Sequence, residues 1–151
     1  MADEQVEHWP NGRIREIARR VNGEQHGRQQ RWYEDGQPEY DLTYEHGKEH
    51  GRHRAWYPDG QLEYDINCEY DVRHGRTQGW YEDGQPSYDR TYENGVPHGS
   101  IREWDAQGKL TRDAWYERGA EWRERVPAQR LLEGQKDVTI MALLTLVASY
   151  V

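Results

Sequence analysis

Phenylalanine is missing altogether, cysteine occurs once and methionine twice. The lone Cys68 rules out an intrachain disulfide framework and fits a reducing compartment. Apolar residues are scarce: 34% of the chain is hydrophobic, 32% is charged, and the mean hydropathy is -1.29. Bases fall short of acids, 20 against 28, for a net charge of -8. That deficit weighs against a general nucleic-acid binder and against attraction to anionic lipid. Residues 1–10 carry no basic segment followed by an apolar one, so no secretory signal is read and a cytoplasmic protein is expected. Gly-x-Ser-x-Gly, a phosphate loop and His-Glu-x-x-His are also lacking, so neither an enzyme nor a cofactor is expected.

Low hydropathy with high net charge ordinarily describes a disordered chain. Here 7 Trp and 11 Tyr argue for a fold, because disordered chains are poor in both. Every one of these aromatics has a polar tip, which suits a thin sheet that is apolar at the ring and wet at the edge. A length of 151 residues suggests a single domain.

Internal repetition decides the architecture. Gly12, Gly36, Gly60, Gly84 and Gly108 are spaced by 24 residues, and so are Gly27, Gly51, Gly75 and Gly99. Each of the latter follows a histidine: His26, His50, His74, His98. Gly23, Gly47, Gly95 and Gly119 make a third column, broken at Asp71. Trp32, Trp56, Trp80 and Trp104 form a fourth, and Tyr40, Tyr64 and Tyr88 a fifth. Within each period the Asp-Gly step predicts a tight turn. A longer arm then alternates Leu62, Tyr64, Ile66, Cys68 with Glu63, Asp65, Asn67, Glu69, which is the pattern of a half-buried strand. The expected fold is all-β: about five 24-residue β-hairpin repeats over residues 1–126, forming one elongated, twisted antiparallel sheet of about ten strands.

Trp-Tyr-Glu-Asp-Gly-Gln at 32–37 and 80–85, with Tyr-Glu-Asn-Gly-Val-Pro-His-Gly at 92–99, resembles the bacterial variant of the MORN repeat. That variant is prominent in YwqK-type antitoxins, whose members lie beside secreted polymorphic toxins. The resemblance covers roughly residues 9–119, implies the hairpin array, and brings no catalytic motif with it. MORN-type arrays are scaffolds for partner binding, lipid contact and assembly. Cys68, Asp71 and Gly79 depart from the pattern, so a local bulge is expected in the third repeat. The first and last repeats are atypical, with His8-Trp9 in place of Trp-Tyr and Trp122-Arg123 in the His-Gly columns.

The histidine column invites a metal reading, but its members should stand two strands apart, roughly 9–10 Å, with no recurrent Cys or carboxylate between them. Turn stabilisation is the expectation, and no metal. Asp41, Asp65, Asp89 and Asp113 form a carboxylate ladder in similar environments, unsuited to acid–base catalysis. They are expected to pair with arginines of the short arms such as Arg52 and Arg54. Alternatively, Glu39, Asp41, Glu63, Asp65, Asp89 and Glu93 share one acidic sheet face that receives a basic protein, with Trp56 and Trp80 supplying aromatic contacts. Arg54 stacking on Trp56 is also expected.

Residues 127–151 form an apolar tail whose last 14 residues are uncharged. They are too short for a confident membrane span. Asp137 suits a helix N-cap. Ile140, Leu143, Leu144, Leu146 and Val147 are expected either to pack on the last hairpin, as helix or strand, or to pair two copies of the chain. The resulting expectation is a non-enzymatic stoichiometric inhibitor, antitoxin-like or a phage-type blocker of a nucleic-acid-handling enzyme. The alternative is a structural or membrane-apposed scaffold.

Overall fold

A computed structural model describes residues 2–122, so the tail and its expected packing or dimer contacts lie outside the described residues. The strands are β1 (Ala2–His8), β2 (Ile14–Val21), β3 (Glu24–Gln25), β4 (Gly27–Trp32), β5 (Pro38–Glu45), β6 (Lys48–Glu49) and β7 (Gly51–Trp56). They continue as β8 (Leu62–Glu69), β9 (Val72–Arg73), β10 (Gly75–Trp80), β11 (Pro86–Glu93), β12 (Val96–Trp104), β13 (Leu110–Glu117) and β14 (Ala120–Trp122). All belong to one antiparallel sheet in the order β1-β2-β4-β5-β7-β8-β10-β11-β12-β13-β14, with β3, β6 and β9 paired to β2, β5 and β8. The described residues contain no helix. The repeat count thus yields ten full arms, as the sequence predicts, plus the terminal β14 and the short two-residue strands.

Two turns alternate. After each long arm, Asn22-Gly23, His46-Gly47, Tyr70-Asp71, Asn94-Gly95 and Arg118-Gly119 place two successive residues at positive φ. This is the two-residue primed turn whose twist matches a hairpin. Asp71 adopts it at φ 70° in place of the column glycine, and its carboxylate accepts the Glu49 amide at 2.8 Å. The ladder stays in register there, with Cys68 opposite Arg73 and Glu69 opposite Val72. No bulge occurs at Cys68 or Asp71: a short acidic side chain tolerates the left-handed region and gains a hydrogen bond, and the register shift beside Gly79 is the one that recurs at Trp32 and Trp56. The second turn is the Asp-Gly loop, in which Gly36 N–H bonds to Tyr33 O at 2.9 Å and Asp35 accepts from Gln37 N–H at 2.9 Å.

Each Asp-Gly hairpin carries a register shift at its tryptophan, as between Ala55 and Trp56. Ala55 faces Tyr64 and Trp56 faces Leu62, which leaves Glu63 as the extra residue of a β-bulge. Glu39 is extra in the same way, between Arg31–Tyr40 and Trp32–Pro38.

Cross-strand partners share a face, so the register sorts the side chains. One face holds Tyr40, Tyr64, Tyr88 and, from the short arms, Gln29, His53, Thr77 and Ile101. The last four form the most buried column of the sheet, at 3%, 1%, 0% and 4% exposure. Its chemistry varies where its position does not. The Gln29 amide donates to Arg19 O at 3.0 Å, and His53 Nε2 bonds Thr43 O at 2.8 Å. Only Ala55, Cys68, Ile101 and Tyr116 are buried hydrophobics among the described residues. With so little apolar burial, hydrogen bonds between repeats carry much of the cohesion. The Tyr33, Tyr57 and Tyr81 hydroxyls donate to the main-chain oxygens of Trp56, Trp80 and Trp104, at 2.8, 2.9 and 2.8 Å. Trp9 stands in the same column and its indole N–H reaches Trp32 O at 2.9 Å. The apparent irregularity of the first repeat is a substitution that preserves the bond.

Candidate functional site

The opposite face carries a guanidinium–carboxylate ladder. Arg28 reaches Asp41 at 2.5 Å, Arg76 reaches Asp89 at 2.6 Å, and Arg52 is paired with Asp65 in close contact. Arg102 and Asp113 repeat the motif at 3.5 Å. Asp41 is also held by Arg54 at 3.1 Å and is buried. Hydrogen bonding from Arg28 holds its carboxyl below the usual carboxylate range against the opposing effect of burial, with Arg54 assisting. The expected cross-strand pairing is therefore present, and the arginine expected on Trp56 is Arg54, 5.2 Å from the ring centroid. Asp41, Asp65, Asp89 and half-buried Trp56 accordingly lie on one face, and Trp80 occupies the equivalent position one repeat later.

Glu39 and Glu63 do not join that row as simple alternation predicted. The bulge turns them toward the tyrosines: Glu39 pairs with Arg31 at 3.0 Å, across from Tyr40. Burial raises the Tyr64 hydroxyl above its ordinary value, with the neighbouring Glu63 carboxylate adding to the effect. Glu93 lies at the hairpin end, 3.6 Å from His98. The histidine column supports the turns: His26, His74 and His98 present Nδ1 to the amides of His46, Asn94 and Arg118, each at 3.5 Å. Long bonds of this kind are weak. The His50 ring lies instead against Tyr70, centroids 4.7 Å apart.

Two features escaped the sequence pattern. The first is a row of carboxylates along the edge formed by the Asp-Gly turns: Glu34, Asp35, Asp59, Glu82 and Asp83, all exposed. None is in an ion pair among the described residues, whereas Asp41, Asp65 and Asp89 all are. Arg13, near one end, directs its guanidinium to the main-chain oxygens of Glu34 and Asp35. The recurring Glu-Asp-Gly was legible only as turn chemistry, because its lack of a basic partner depends on where the neighbouring strands run. The second is a cluster of Glu49, His53 and Cys68, whose donor atoms all lie within 4.8 Å of one another. Burial pushes the Cys68 thiol up to about 11, and the Glu49 carboxylate reinforces it. His53 and Cys68 are each alone in their columns, and Glu49 recurs only at Glu121, so periodicity hid them.

A meander of 24-residue hairpins with polar latches between repeats defines a β-repeat array that offers extended surfaces. The MORN repeat variant matches residues 25–46, 49–67 and 73–94, so three successive hairpins of the chain are MORN repeats. The family is a non-enzymatic repeat module that binds proteins or membranes. No curated protein matches the chain in sequence.

Proposed function

We propose that this protein is a stoichiometric inhibitor of the antitoxin or immunity type, which occludes a basic protein such as a nucleic-acid-handling enzyme. The observation that carries the reading is the carboxylate row on the Asp-Gly edge, which has no ion-pairing base among the described residues. Successive repeats stand two strand spacings apart, so these charges recur at roughly 10 Å intervals, comparable with the Debye length of about 8–10 Å. An array of that kind accelerates encounter with a basic surface. The Arg–Asp ladder beside Trp56 offers the less salt-sensitive part of the contact, an aromatic flanked by paired charges. The same acidity disfavours anionic lipid as the partner.

Capture from native lysate identifies the partner, and kinetics then test the edge. The carboxylates of Glu34 and Glu82 make no hydrogen bond or ion pair among the described residues, so Glu34→Lys with Glu82→Lys is expected to leave the fold intact. The double variant is expected to slow association several-fold at low salt and to flatten its salt dependence. A captured enzyme should lose activity at a one-to-one ratio. Association indifferent to salt and to both substitutions, or an enzyme fully active in the complex, would overturn the proposal.

A further inference from the structure

We propose that Glu49, His53 and Cys68 form a binding site for one zinc ion, between the short arm β6–β7 and the long arm β8. Cys68 Sγ and His53 Nδ1 each lie 3.7 Å from Glu49 Oε2. Donors on a tetrahedral zinc ion, at about 2.0–2.3 Å from the metal, stand roughly 3.3–3.7 Å from one another. Two edges of a tetrahedral face are thus already near their length, the third lies within 4.8 Å, and the fourth vertex would take a water.

The histidine is prepared for the role. Its ring is 1% exposed, and Nε2 bonds Thr43 O at 2.8 Å. A carbonyl acceptor fixes the proton on Nε2 and leaves the Nδ1 lone pair facing the cluster, which is the outer-shell arrangement metal-binding histidines commonly have. Glu49 keeps 41% of its side chain exposed, so the buried pair has an entry path from solvent. Thiolate, imidazole and carboxylate together suit zinc and exclude calcium or magnesium, which want oxygen alone. The thiol proton leaves to solvent as the metal binds.

The repeat supplies its own control. The equivalent trios are Gln25, Gln29, Tyr44 in the repeat before, and Arg73, Thr77, Tyr92 in the repeat after. Neither can hold zinc. A purely structural column had no need of three ligand types at once, and they coincide in one repeat only. The histidine column of the turns is not involved.

The full chain, stripped with chelator, is titrated with zinc and separately with cobalt. The expected result is one zinc per chain by native mass spectrometry, and a thiolate-to-cobalt charge-transfer band in the near ultraviolet. Glu49→Gln and His53→Gln install the residues of the preceding repeat and should keep the far-UV spectrum. Each should weaken zinc by more than the roughly 10- to 100-fold that loss of an outer-shell group costs. Cys68→Ser should abolish the cobalt band, whereas His50→Asn with His74→Asn should leave both readouts unchanged. Absence of stoichiometric zinc in the native chain would overturn the proposal. So would zinc binding that survives His53→Gln and Cys68→Ser undiminished, or that vanishes in the His50/His74 variant.

Discussion

Asp41 illustrates how one residue depends on its two neighbours across the sheet. Arg28 and Arg54 converge on its carboxylate from strands β4 and β7, at 2.5 and 3.1 Å, while the side chain keeps only 10% exposure. Its carboxyl is held below the ordinary range, chiefly by the Arg28 hydrogen bond. A depressed carboxylate contributes stability that is present above the unfolded value, near 3.9, and is lost as pH falls through the folded one. Asp41→Asn is expected to cost about 1–2 kcal/mol at pH 7, a range kept modest because Arg28 stays half exposed. In urea melts the gap between the native chain and the variant should close as pH drops below about 4. A gap of equal size at pH 3 and pH 7 would show that the ionised form contributes nothing.

At the level of the element, the primed turn between β8 and β9 is the informative one. Tyr70 and Asp71 stand where the other repeats have a glycine in second place, and Asp71 sits at φ 70°. A left-handed conformation costs a non-glycine residue roughly 1–2 kcal/mol. The Asp71 carboxylate offsets part of that by accepting the Glu49 amide. Asp71→Gly removes both the strain and the bond, so its stability should lie within about 0.5 kcal/mol of the parent. Asp71→Ala keeps the strain and loses the bond, and should cost about 1–2 kcal/mol. Melting of Asp71→Ala equal to the parent would mean that the side-chain bond does not support the turn, and equal melting of the two variants would mean that glycine relieves no strain there. Glycine therefore recurs in this column for its backbone, and aspartate survives there through its side chain.

For the whole molecule, every ladder joins strands that are near neighbours in the chain, from β1–β2 through β13–β14. Such an array grows in one direction as repeats are added, without folding back on itself. A compact globule of this length would have a radius of gyration of about 15 Å. Small-angle scattering is expected to give a clearly larger value, and a value at or below the compact one would exclude the extended sheet. The buried column through Gln29, His53, Thr77 and Ile101 runs along the same direction, so four successive repeats each contribute one side chain to a shared interior line. This is why cohesion rests on latches such as Tyr57 to Trp80 O, which join one repeat to the next.

Periodicity alone established the all-β class, the ten arms, the two turn types and the Arg–Asp pairing. These depend on local backbone preference and on alternation, and both are written into the spacing of Gly, Asp, Trp and Tyr. The likeness to MORN repeats was legible from the same columns. Three things waited for the tertiary structure. The bulge at each tryptophan moved Glu39 and Glu63 off the face that alternation assigned them, because one extra residue reverses the parity of a strand. The most buried column, Gln29, His53, Thr77, Ile101, shares a position without sharing a chemistry, so no sequence pattern marks it. Glu49, His53 and Cys68 lie on two different arms, and only the register of β7 against β8, with Gly51 opposite Cys68 and His53 opposite Ile66, brings their donor atoms together. A repeat dictates what every unit has in common, whereas an assembly of exceptions is created by the pairing of strands.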